Sequence, residues 1–153
     1  MVLRFAEEDL RPLGRTARGV RAINLREGDY VVGFDTFSAD SKDQALLVTT
    51  DGFGKRVELE EFRVQNRSGI GLIGTKFKSE SSHLASLRVV KDTDEVIIAS
   101  AHGIVLRSKT GDISCQSRMA TGVRLQRLDE EDYVASVTKH TEEESQVEGG
   151  SVD

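Results

Sequence analysis

Arg15, Arg67 and Arg118 each stand four residues before a glycine, at Gly19, Gly71 and Gly122, and they are 52 and 51 residues apart. Arg4, Arg56 and Arg107 step by the same 52 and 51. Arg18, Arg21, Lys55, Arg63 and Arg124 fall in corresponding parts of the same period. One charge on a strand face is unremarkable, because solvated faces carry charge. Recurrence in register places these cations on one side of each unit. An arc of arginine and lysine tracks a phosphate backbone and gives salt-dependent affinity with little sequence preference. Glycines beside the arginines let backbone N–H groups approach phosphate too. The candidate nucleic-acid-binding set is therefore Arg4, Arg15, Arg18, Arg21, Lys55, Arg56, Arg63, Arg67, Arg107, Arg118 and Arg124.

Other chemistries find little support. His83, His102, His140 and Cys115 show no metal-ligand spacing. There is no G-x-S-x-G element. Gly52-Phe53-Gly54-Lys55 lacks the spacing of a phosphate-binding loop and the Ser/Thr after lysine. Tyr30 and Tyr133 sit in apolar contexts and read as strand residues. No catalytic residue, metal site or cofactor is expected in this chain.

The elements that must position the cations are strands of a repeat. Gly52 and Gly103 each follow an apolar run, and Asp29-Tyr30-Val31 returns as Asp132-Tyr133-Val134 two periods later. A period of 51–52 residues suits a four-stranded propeller-like blade. Short β-branched runs bounded by Gly, Asp and Ser predict an all-β chain. In the first repeat, strands are expected from Val20 to Leu25 and, on the inside, from Tyr30 to Phe34. The second has an inner strand Ala45–Thr50 and a turn at Asp51-Gly52. Lys55–Leu59 follows, with Lys55, Val57 and Leu59 on one face and Arg56 and Glu58 on the other. Leu72–Lys78 and Leu84–Val90 complete it, and the third repeat runs from Glu95 to Val137. Val2-Leu3-Arg4-Phe5 aligns with Val105-Leu106-Arg107-Ser108, so the strand that would precede it in register is not in the sequence. Residues 2–137 then hold about two and two-thirds repeats of about 51–52 residues, or about three blades. An open array has unpaired strand edges, which predicts self-association through the truncated blade edge.

The totals need dissecting. The chain has 153 residues and a net charge of −5, which taken alone argues against a nucleic-acid partner. Residues 129–153 carry nine acids and one lysine, and residues 1–128 carry a net charge of +3. Residues 138–153 read as a disordered acidic tail that can compete with phosphate for the basic residues. A single cysteine excludes an intrachain disulfide and suits a reducing compartment. No apolar run approaches the ~18 residues of a membrane span, and charges interrupt any signal-peptide core. At this point two function classes stand: a DNA-binding module and a protein-interaction propeller.

Several motifs, in order and spacing, carry a family resemblance. These are Gly52-Phe53-Gly54-Lys55-Arg56-Val57 and the run from Glu61 to Gly71, together with Arg11–Ile23 and Leu25–Gly33. They resemble the repeats of the C-terminal domain of the DNA gyrase A protein, part of a type IIA DNA topoisomerase. The match covers about residues 2–137 and corresponds to the last blades plus acidic tail. Gln65-Asn66-Arg67-Ser68-Gly69-Ile70-Gly71 is a degenerate form, in the same register, of the family's box Gln-Arg-Arg-Gly-Gly-Lys-Gly, which belongs to its first blade. The resemblance implies a β-pinwheel whose blades exchange strands. It implies DNA binding and wrapping around a basic rim, supporting ATP-dependent negative supercoiling by the whole enzyme. The implied partners are double-stranded DNA, the remaining gyrase A domains and the gyrase B protein. Cleavage and ATP hydrolysis belong elsewhere in that enzyme. The implied location is the bacterial cytoplasm, at the nucleoid, with no membrane partner. The related topoisomerase IV C-terminal domain is the alternative within the resemblance.

Overall fold

A computed structural model describes residues 1–141 of the chain. Its strands are β1 (Gln44–Thr49), β2 (Phe53–Glu58), β3 (Leu84–Val90), β4 (Glu95–Ser100), β5 (Val105–Lys109), β6 (Val123–Arg124) and β7 (Val134–His140). Three single 3-10 turns, Glu7–Asp9, Leu59–Glu61 and Thr110–Asp112, occupy one position in successive repeats. No helix among the described residues is long and apolar enough to cross a membrane.

Each apolar run becomes the middle strand of an antiparallel sheet. β1 lies between β3 and β2, and β4 lies between β7 and β5. The first sheet gains a fourth strand from the next repeat, because β6 pairs with β2 through Phe53–Arg124 and Gly54–Val123. The same exchange joins the first repeat to the second: Val2 pairs with Leu72, and Arg4 bridges to Val64. The array is thus a chain of strand-exchanging units, as a pinwheel requires.

Burial follows from this exchange. Leu46, Val48, Val90, Val96, Ile98, Ile113, Val134 and Val137 form one core between the second and third units. Ala45, Leu47, Val57, Leu59, Phe62 and Val89 form another on the opposite face of β1. β1 is covered on both sides, so it carries a continuous Ala-Leu-Leu-Val run rather than an alternating one. Fully burying a Val or Leu side chain is worth about 1.5–3 kcal/mol. β2 departs from the expected alternation for the same reason. Lys55, Arg56 and Val57 are all buried and only Glu58 is exposed, because the third unit packs on the Arg56 side.

The first unit is different. Val20–Leu25 and Tyr30–Phe34 form no strands, and Tyr30, Val31 and Phe34 are exposed at 67%, 59% and 70%. The counterparts of Tyr30–Phe34 run into β3 and β7, which are held by β1 and β4, whereas no strand among the described residues flanks Tyr30–Phe34. A cavity of about 1130 Å³ is lined by Val2–Phe5 and Tyr30–Phe34 among others. Leu72–Lys78 is also not a regular strand; it keeps only the bridge at Leu72. At the other end β7 runs through His140, so the last strand enters the stretch expected to be the tail. The Lys139 ammonium there donates to the Val89 carbonyl at 3.1 Å, tying β7 to β3. The rest of that stretch, 142–153, lies outside the described residues.

Candidate nucleic-acid interface

The glycine loops place the cations, and two of their glycines have a specific geometric duty. Gly71 and Gly122 have φ of +88° and +93°, where side chains are strained. A Cβ on Gly71 would lie 2.5 Å from the Val2 carbonyl oxygen, and one on Gly122 would lie 2.5 Å from that of Gly54. These glycines let the strand of the preceding unit pass against the loop. Their expected role was phosphate contact; in the structure their open side faces protein backbone.

The predicted cations divide into three groups. The first is structural. Arg4 donates to the Leu59 and Phe62 carbonyls at 3.1 and 3.3 Å and lies over the Phe37 ring at 4.8 Å. Arg56, one period on, repeats the contact in the next unit. Its Nε donates to the Ile113 carbonyl at 2.7 Å, its Nη2 to Gly111, and its Nη1 to Gln44 and Asp92. Lys55 is fully buried, and its ammonium donates to the carbonyls of Ser117, Arg118 and Ala120 at 2.6, 2.8 and 2.7 Å. An ammonium has three donors, and here all three are used. Arg56 and Lys55 therefore have no free face for a phosphate, and Arg4 has little; these three candidates act inside the fold.

Burial pulls the Lys55 pKa from 10.5 down to about 8. The Glu61 carboxylate opposes this shift, and the Arg118 guanidinium adds to it. Lys55 thus fastens the underside of the third glycine loop while Arg118 stands on that loop.

The second group hooks each loop to the preceding unit. Arg67 Nη1 donates to the Arg21 carbonyl and to Ser68 Oγ at 3.2 Å. Arg118 Nη1 donates to the Ile73 carbonyl at 2.8 Å, and its backbone N–H to Glu61. Arg21 and Ile73 are 52 residues apart, so the same hook recurs at the same position. Both guanidiniums are only partly covered.

The third group is exposed. Arg15, Arg18 and Arg21 lie on the first loop and the residues after it, Arg63 before the second loop, and Arg124 after the third. Arg124 lies over the Phe53 ring at 5.2 Å, which fixes its stem while leaving the charge outward. Arg107 is exposed on β5 and paired with Glu95. Arg18 and Arg21 flank the seam where Arg67 hooks, and Arg124 flanks the seam where Arg118 hooks. The partly covered Arg67 and Arg118 thus bring guanidiniums in one register to two successive seams, whereas the period after Arg18 and Arg21 carries Ile70 and Ile73 and the arginine returns only at Arg124. Sequence reasoning missed Lys76, which is exposed and whose N–H bonds the Ala120 carbonyl at 3.2 Å, placing it at the second seam. The signal was its counterpart Arg127, one period away and also exposed.

Three stretches, 1–38, 43–91 and 94–140, match the family model described as DNA gyrase C-terminal domain, beta-propeller. Those bounds follow the repeats. The DNA gyrase A protein of Staphylococcus epidermidis (strain ATCC 12228) is 39% identical over 143 residues, covering 94% of this chain. Its counterpart in Staphylococcus aureus (strain MRSA252) is 40% identical over 142 residues, covering 93%. The chain spans 16% of the length of each of these relatives. Among solved structures, the C-terminal domain of DNA topoisomerase IV superposes with a TM-score of 0.82 at 26% identity, covering 88% of this chain and 42% of that one. The DNA gyrase A C-terminal domain superposes at 0.78 with 28% identity, covering 90% and 46%.

Proposed function

This chain belongs to the DNA gyrase C-terminal domain family, and from that membership and its surface we propose that it binds and wraps double-stranded DNA. The DNA runs across the seams between units and contacts Arg18 and Arg21 at one seam and Arg118 and Arg124 at the next. Contacts from side chains of this kind go to phosphate, so binding is strong at low salt and indifferent to sequence. The observation that carries the reading is the recurrence of the partly exposed Arg67 and Arg118 in one register at two successive seams, with exposed Arg18, Arg21 and Arg124 nearby in the chain.

Wrapping in this reading means that the DNA path both bends and rises out of the plane of the bend, and that rise gives the wrap its handedness. In this reading the unit serves as part of a gyrase A protein, alongside its other domains and the gyrase B protein. It presents wrapped DNA to an ATP-dependent supercoiling enzyme and supplies no catalytic group itself. Its place is then the bacterial cytoplasm, at the nucleoid. The topoisomerase IV alternative draws on the slightly closer backbone superposition. The higher sequence identity to gyrase A proteins favours gyrase.

A topological assay tests the wrapping. Nicked circular DNA is ligated in the presence of the protein, freed of it, and examined for linking-number change. Positive shifts that grow with protein concentration are expected. Binding without any shift would leave a DNA-binding module that does not wrap.

A further inference from the structure

The two seams inside the chain share a backbone arrangement and differ in their side chains. At the first, the Arg67 guanidinium and the Ser68 hydroxyl both donate to the Arg21 carbonyl, the hydroxyl at 2.9 Å. Asn24 N–H donates to the Gly69 carbonyl at 2.9 Å. At the second, one period on, Arg118 donates to the Ile73 carbonyl at 2.8 Å. Lys76 N–H donates to the Ala120 carbonyl at 3.2 Å, in the place of Asn24 and Gly69. Thr75 Oγ1 adds a bond to the same carbonyl at 3.3 Å. Ile73 is thus the counterpart of Arg21, and Met119 that of Ser68.

Where the first seam carries a guanidinium and a tied hydroxyl, the second carries two large apolar side chains. Ile73 is 44% exposed and Met119 is 55% exposed. A single exposed apolar side chain is ordinary. Here two share one stretch of a seam, because Met119 lies between Arg118, which is bonded to Ile73, and Ala120, which is bonded to Thr75 and Lys76. Cations surround the pair: Arg118 is only partly covered, and Lys76 and Arg124 are exposed. Glu61 accepts from the Arg118 backbone N–H at 2.8 Å, and the Lys55 ammonium beneath the same loop opposes its charge. Flanking cations select a polyanion over an apolar protein face. A DNA duplex is a polyanion with an apolar stack inside. Isoleucine and methionine are among the side chains that enter such a stack from the minor groove, while cations take the phosphates on either side.

Resting on the reading of this chain as a DNA-binding unit, we propose that Ile73 and Met119 form a wedge that enters a base step from the minor groove and kinks the duplex at the second seam. The first seam, with Arg21 and Ser68 in the same positions, holds phosphates without a wedge. The bend is therefore concentrated at one seam. Steps that unstack easily, such as pyrimidine–purine steps and mismatches, lower the cost of the wedge. Binding set mainly by phosphates thereby gains a preference for deformable DNA at one point of the track.

The test titrates the 153-residue chain onto two short duplexes of equal length, one fully paired and one with a central mismatch. Each carries 2-aminopurine beside the central step, which brightens as the base unstacks. The native chain should bind the mismatched duplex about tenfold more tightly than the paired one, with a rise in fluorescence. Ile73→Ser/Met119→Ser should keep the native salt slope and lose both the preference and the rise. Met119→Ser alone replaces it if circular dichroism shows an altered fold. Ile73→Leu/Met119→Leu should retain both signals. A folded serine variant that keeps the preference and the rise would overturn the wedge and leave the DNA track standing. Equal binding of the two duplexes by the native chain, without a rise, would also overturn it and leave the apolar pair to a protein partner. A native chain that binds neither duplex at low salt would overturn the wedge and the DNA-binding reading together.

Discussion

The Lys55 ammonium donates to the carbonyl oxygen of Arg118 at 2.8 Å across 63 residues of sequence. One buried cation thereby holds the loop that presents another. The three carbonyls it satisfies all belong to the third glycine loop. The basic surface therefore depends on a residue that never reaches it.

Lys55→Met should leave the Arg118 carbonyl without its donor, while the Ser117 carbonyl keeps the Ala120 N–H and the Ala120 carbonyl keeps the Lys76 N–H and Thr75 Oγ1. Losing the charged donor costs about 1–3 kcal/mol. Hydrogen exchange should rise between residues 117 and 122 while β1 and β4 stay protected. Uniform loss of protection throughout would show a general fold defect instead.

The pH dependence of Lys55 has a definite sign. Its pKa is about 8 in the folded chain against 10.5 for an ordinary lysine. Between these values the unfolded chain binds more protons, so this group makes stability rise with pH as the buried charge is shed. Thermal melts from about pH 7 to about pH 10 should show that increment in the native chain and lack it in Lys55→Met.

Arg56→Ala should be much more damaging to stability than Arg4→Ala. Arg56 is buried and bonds two carbonyls, Gln44 and Asp92 between two complete units. Losing it should cost about 2–3 kcal/mol, from the carbonyls left without donors and the packing of its stem. Arg4 is only half-buried, and its loss should cost about 1–2 kcal/mol. Urea titrations of the two variants give the comparison. Equal losses would contradict the assignment of Arg56 as the main staple.

Gly122→Ala and Gly19→Ala separate strain from contact. Both sites have positive φ, but only Gly122 would place a Cβ 2.5 Å from a neighbouring carbonyl. At concentrations too low for self-association, Gly19→Ala should cost about 1 kcal/mol of strain, and Gly122→Ala distinctly more. Denaturant midpoints measured side by side give both values.

Much of this architecture is legible in the residues. The 52- and 51-residue steps of Arg15, Arg67 and Arg118 set the period, and the glycine turns mark the hairpins. What pattern alone misses is what a neighbouring unit decides. Lys55 and Arg56 alternate like a strand with one wet face, but the third unit covers the second face. Tyr30–Phe34 reads as an inner strand, but a strand needs a partner, and none flanks it among the described residues. The arginines look equivalent because they share a register. Their roles differ because a unit with a neighbour uses its arginines on that neighbour's carbonyls.

The acidic end should oppose the basic seams. Residues 142–153 contain five acids and no base. Removing them should tighten DNA binding at low salt and matter less as salt screens the charge. Fluorescence anisotropy of both chains with one duplex measures the difference; identical affinities at low salt would contradict this role.

The central claim is that the exposed guanidiniums at the seams form a DNA track. The most direct measurement is binding of a labelled duplex of about one hundred base pairs from low to moderate salt, for the native chain and for Arg18→Ala/Arg21→Ala/Arg118→Ala/Arg124→Ala. Each phosphate neutralised contributes about −0.9 to the slope of log K against log salt. The native chain should show a steep slope with little sequence preference, and the variant a shallower slope with weaker binding at every salt concentration. Unchanged affinity and slope in a folded variant would contradict the account.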